Sequence, residues 1–126
     1  MTARLILLAA AVLGALGVGL GAFGAHVFKA HLEATQRLDT FETAVRYQFY
    51  HTLALLAVGV LRLVRPELSS LGTVAWLFIG GIIVFSGSLY LLCLTGVTKL
   101  GAITPIGGVL FIAGWVLLAV AALRLP

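Results

Sequence analysis

The chain has 126 residues, which leaves room for one domain. Hydrophobic residues make up 62% of it and charged residues 10%, where a soluble domain carries about 25% charge. So short a chain cannot bury that much apolar surface in a core of its own, so its solvent is lipid. The net charge of +4 comes from eight Lys and Arg against four Asp and Glu. It contains no dense basic run and no aromatic-basic interleaving, which excludes nucleic acid as a partner. The charge reads instead as topology signals and contact with anionic headgroups. The single cysteine, Cys93, has no partner for an internal disulfide and reads as a small packing residue.

Four stretches reach the roughly 20 apolar residues that a membrane-spanning helix needs. They are residues 5–25, 41–63, 71–94 and 104–123. The first has a rival reading, because Arg4, an apolar run and small residues near Ala25 resemble a signal peptide. Its apolar run is too long for a typical signal and three more spans follow, so it is taken as a retained helix. Residues 28–40 are polar, with Phe28, Leu32 and Leu38 spaced for a short helix at the membrane surface. Thr104 is placed to cap the fourth helix, with Pro105 at its first position. The expected fold is all-α, a four-helix transmembrane bundle. Arg4, Arg62, Arg65 and Arg124 fall on one side and Lys29, Arg37 and Lys99 on the other. That small asymmetry predicts both termini in the cytoplasm and a multi-pass protein of the cell inner membrane.

The first helix is glycine-rich at helical spacing. Gly17, Gly21 and Ala25 form a small-xxx-small series, with Gly14 and Gly24 on or near the same face. Gly107 and Gly114, seven apart, share one face of the fourth helix. Such faces predict close helix packing within the bundle. A homo-oligomer, a partner membrane protein and room for a ligand are the alternatives.

The second helix opens with polar groups. Glu42 and Arg46 are four apart and can pair, and Tyr47 and His51 are four apart on another face. The topology puts His26, Glu42, Arg46, Tyr47, Tyr90, Thr95, Lys99 and Thr104 at one end of the bundle, with His51, Ser86 and Ser88 deeper. This polar cluster has two readings, a hydrogen-bonded clasp of helix ends or a small-solute site. His26 and His51 do not suit one haem, since in a hairpin their depths differ by roughly 13 Å. No metal spacing, nucleophile-base pair or phosphate loop is present, so neither cofactor, metal nor catalytic residue is expected. The GxGxxG string at Gly19–Gly24 lies inside an apolar helix rather than after a strand, and is accidental.

Four runs in order carry a resemblance: Gly21–His26, Phe41–Gln48 with Tyr50-His51, Phe85–Tyr90, and Leu100–Gly108. Over nearly the whole chain the sequence resembles the YgdD/YwdK family of small bacterial inner-membrane proteins, which have small transmembrane relatives in eukaryotes. The resemblance implies four membrane helices and carries over no activity. Three functions stay open: a non-enzymatic accessory or interaction protein, a solute or ion transporter component, and an enzyme or a lipid- or quinone-binding protein using His51, Tyr47 and Ser88.

Overall fold

The computed structural model describes residues 1–126 and contains helices and turns only. In chain order they are α1 (Ala3–Ala25), α2 (Lys29–Ala34), α3 (Leu38–Val64), α4 (Ser70–Gly81), α5 (Gly87–Thr95) and α6 (Thr104–Ala122). A π-helical turn, Ile82–Ser86, joins α4 to α5, and a 3-10 turn, Thr98–Ala102, precedes α6. Counting α4 to α5 as one rod, four helices are long and apolar enough to cross a membrane.

The caps follow from local chemistry. Thr2 accepts the Leu5 amide at the start of α1, satisfying one of the unpaired donors of a first turn. α3 begins at Leu38, ahead of the expected Phe41, with Asp39 in its first turn where a helix dipole favours an acid. Arg62 ties the α3–α4 turn by donating to the carbonyls of Pro66 at 2.6 Å and Leu68 at 2.9 Å. In the same turn Arg65 donates to Glu67, and this holds the exposed Glu67 carboxyl below its usual range. α5 stops at Gly96, whose φ of +75° suits glycine. Thr104 does not cap α6 as expected. The cap position is Ile103, with no side-chain bond, and Thr104 is already helical.

The spans form two antiparallel hairpins, α1 with α3 and α4–α5 with α6, and α3 docks against α4 and α5. Glycines set the spacing inside each hairpin. A Cβ at Gly17 would stand 2.8 Å from the Phe49 ring, and one at Gly114 would stand 2.6 Å from Phe78. Gly24 admits Phe41 and Gly81 admits Phe111 in the same way. Gly107 faces backbone, because a Cβ there would lie 2.8 Å from Phe85 Cα and 2.7 Å from Phe85 Cβ. Phe85 belongs to the π turn, so it is this widened stretch of the second hairpin that meets Gly107. Gly14 and Gly21 meet their neighbours only at 3.7 and 3.5 Å, ordinary contact. The tight face of α1 therefore repeats every seven residues, at Gly17 and Gly24, instead of every four. Ala25 is exposed.

The half of the bundle nearer the termini is apolar inside, with Ile6, Leu55, Val58, Leu71, Val74 and Phe78 fully buried. At the other end α2 lies across the helix tips and buries Leu32 against Phe41 and Cys93.

Candidate functional site

Polar residues inside the bundle gather between mid-depth and the end away from the termini. Gln48 is their centre. It is almost fully buried, its amide donates to the Leu13 carbonyl at 2.8 Å, and its side-chain oxygen accepts the Tyr90 hydroxyl at 2.7 Å. One glutamine thus links α1, α3 and α5. Ser86, fully buried at the end of the π turn, donates to the Ala44 carbonyl at 2.7 Å. Ser88 and Thr104 share a bond of 2.6 Å between α5 and α6, and Ser88 also donates to the Phe85 carbonyl. Each of these bonds offsets the cost of holding a polar group out of water.

His51 forms a separate group. Its Nδ1 is 2.7 Å from the Tyr47 carbonyl, which only accepts, so Nδ1 carries the proton. Its Nε2 is then free to accept the Trp115 indole N–H at 3.1 Å. The two contacts fit one neutral tautomer. The imidazole also stacks on Phe111, with centroids 3.4 Å apart and planes 8° apart. His51 lies eleven residues from Arg62 and nine from Glu42. At 1.5 Å per residue those are ~16 and ~14 Å, close to the middle of the ~30 Å hydrocarbon layer.

The residues expected to form one cluster therefore fall into several groups. Glu42 and Arg46 pair at 3.1 Å, but on the outer surface of α3, with side chains 47% and 61% exposed. Beside them Gly21, Gly24, Leu38 and Phe41 outline a cleft of about 330 Å³ between α1 and α3. His26 is exposed at the end of α1 and joins neither group, nor do Thr95 and Lys99. Tyr47 is exposed on α3, and its ring stacks on Phe85 at 4.6 Å. Tyr90, Ser86, Ser88 and Thr104 take part in the interior bonds given above.

Gln48 and Trp115 were not singled out from sequence. Gln48 had a readable signal. It lies four residues after Ala44 and seven before Leu55, on the stripe of α3 that faces inward. Trp115 had one as well, because it stands deep in an apolar span, away from the interface where tryptophan collects.

A second groove runs between α3 and α6. Tyr47, Tyr50, His51, Phe85, Phe111 and Trp115 line it, and it encloses about 500 Å³. It opens sideways, where Tyr50 and Trp115 are 56% and 46% exposed.

Comparison with known proteins places the chain. A family described as a protein of unknown function, DUF423, matches residues 20–108. The membrane protein YwdK of Bacillus subtilis is 41% identical over 121 residues, 96% of this chain and 98% of its own. The membrane protein SSP2132 of Staphylococcus saprophyticus is 47% identical over 118 residues, 90% of this chain and 96% of its own. The inner membrane protein YgdD of Escherichia coli K12 is 41% identical over 125 residues, 99% of this chain and 94% of its own. No solved structure matches. With four spans in the fold and relatives that align from end to end, the chain belongs to the DUF423 (UPF0382) family of membrane proteins, whose biochemical function is unknown.

Proposed function

We propose that this protein is a non-enzymatic accessory protein of the inner membrane, a rigid four-helix body that acts by binding another membrane protein through its outer surface. The interior bonds of Gln48, Tyr90, Ser86, Ser88 and Thr104 carry the reading. These groups are engaged with one another or with backbone carbonyls, and they lock the helices in register. Catalysis by these groups would need a nucleophile beside a base, and each of their hydroxyls faces another of them or a backbone carbonyl. A conduit asks for polar groups through the full depth. Here the half beneath His51 is filled by Leu55, Val58, Val74 and Phe78. The glycines that fit a close helix contact are occupied inside the hairpins, but Gly19 and Gly87 have open space where a side chain would begin. A partner helix has room to approach there.

The test is purification from native membranes in mild detergent after in vivo cross-linking, followed by mass spectrometry. The expected result is one membrane protein in stoichiometric amount, with cross-links on the outer faces of α1 or α5. Recovery of the chain alone, across several detergents and cross-linker lengths, would overturn the proposal.

A further inference from the structure

The groove between α3 and α6 is built unlike the rest of the lipid-facing surface. Aromatic side chains with a polar tip belong at the membrane interface, where the tip reaches water or headgroups. Tyr47, Tyr50 and Trp115 instead lie within a few residues of the His51 level, near mid-depth. The Trp115 indole is satisfied by His51. The Tyr47 and Tyr50 hydroxyls bond to no other group of the chain, although Tyr90, the third tyrosine, is paired with Gln48. Hydrocarbon offers a phenol no acceptor, and an unpaired hydroxyl there costs free energy.

The floor of the groove is aromatic and closely packed. Tyr47 stacks on Phe85 with planes 22° apart, and His51 stacks on Phe111 with planes 8° apart. The two stacks lie side by side, with Phe85 and Phe111 centroids 5.5 Å apart. Gly108 keeps the α6 side open, since a Cβ there would meet only Phe85, at 4.0 Å. A volume of about 500 Å³ falls within the ~300–1,000 Å³ of small-molecule sites. Because the groove opens sideways at mid-depth, its occupant arrives from the bilayer.

We propose that this groove binds the head of a quinone-type lipid, a flat ring bearing carbonyl acceptors on an isoprenoid tail. The ring lies against Ile112 and Trp115, the exposed α6 side chains of the groove, its carbonyls accept from the Tyr47 and Tyr50 hydroxyls, and its tail stays in the lipid. No electron transfer is part of the proposal, and the site binds with or without a protein partner elsewhere.

The experiment uses the full chain in detergent micelles and decylubiquinone as the probe. Quinones quench indole fluorescence, so Trp76→Phe leaves Trp115 as reporter and Trp115→Phe leaves the lipid-facing Trp76 as control. Quenching of Trp115 is expected to saturate with decylubiquinone, while Trp76 shows only a linear collisional response. In the Trp76→Phe background, Gly108→Leu fills the groove without touching the backbone packing and is expected to abolish saturation. Tyr47→Phe and Tyr50→Phe are each expected to weaken binding about 3- to 10-fold, the loss of one hydrogen bond. Farnesol, which has the isoprenoid chain and no ring, is expected not to compete. Linear quenching of Trp115, saturation that survives Gly108→Leu, or equal competition by farnesol would each overturn the proposal. Circular dichroism and a monodisperse elution profile establish that the Gly108→Leu chain is folded.

Discussion

Gly107→Ala tests how the second hairpin is held together. A Cβ at this position would lie 2.7 Å from Phe85 Cβ and 2.8 Å from Phe85 Cα, atoms that no side-chain rotation can move. Carbon atoms rest at about 3.5–4.0 Å, so α6 and the π turn must part by about 1 Å. Such overpacking costs ~1–3 kcal/mol. The same movement strains the Ser88–Thr104 bond three residues away, now 2.6 Å long, and an interhelical bond in a membrane contributes ~0.6–1.7 kcal/mol. The expected loss is therefore ~2–5 kcal/mol. Gly21→Ala is the control, because its Cβ would meet Val45 at 3.5 Å, ordinary contact. Its change is expected to stay within ~0.5 kcal/mol. Reversible unfolding in bicelles, followed by steric trapping, measures both. Equal stabilities for the two variants would refute the backbone-contact argument, whichever way they shifted.

Four further outcomes are expected. A double-mutant cycle on Gln48→Leu and Tyr90→Phe should give a coupling of ~0.6–1.7 kcal/mol, and strict additivity would mean that their bond contributes nothing. Thr52→Val should raise stability by up to ~1–2 kcal/mol, because the buried Thr52 hydroxyl has no partner; a loss of stability in the same bicelle assay would contradict this. Nitrogen-15 NMR of labelled His51 should report protonation at Nδ1, as its two contacts require, and a signal for the Nε2–H tautomer would refute that assignment. Arg46→Gln, alone or with Glu42→Gln, should cost no more than ~1 kcal/mol, since the pair lies on the outer face of α3 and Glu42 stands at the edge of the hydrocarbon layer, within reach of water. A large loss for the single change in thermal unfolding would place the pair in the interior after all.

Some of this was legible from sequence and some was not. Composition and apolar run length located the four spans, because lipid leaves a backbone few alternatives to a long helix. The small surface helix α2 was readable from Phe28, Leu32 and Leu38, and Leu32 is indeed fully buried. Burial within the polar end was harder to read. Glu42 and Arg46 were legible as an ion pair from their spacing, but spacing does not say which way a helix face turns. In the fold the pair turns outward while Gln48, two residues beyond Arg46, turns inward. The glycines show the same limit. Gly14, Gly17, Gly21 and Gly24 look equivalent in sequence, and only the phenylalanines of α3 distinguish them, because Phe49 and Phe41 fall opposite Gly17 and Gly24. The π turn left no sequence signal, and it holds both Phe85, whose backbone meets Gly107, and Ser86, which bonds Ala44.

The two kinds of contact divide the task of assembly. Every close glycine–phenylalanine contact lies within a hairpin, Gly17 and Gly24 in the first and Gly81, Gly107 and Gly114 in the second. Van der Waals packing of this kind is available in lipid, where no hydrophobic effect drives helices together. The hairpins then meet along α3, where three hydrogen bonds cross: Ser86 to Ala44, Tyr90 to Gln48, and Trp115 to His51. Those bonds lie between mid-depth and the end away from the termini. Nearer the termini, buried aliphatic side chains and the short α3–α4 turn, tied by Arg62, already hold the hairpins side by side. Directional bonds are thus placed where the chain itself constrains the docking least, since the α3–α4 link is at the opposite end. Removing one of them should loosen the junction between hairpins while leaving each hairpin intact.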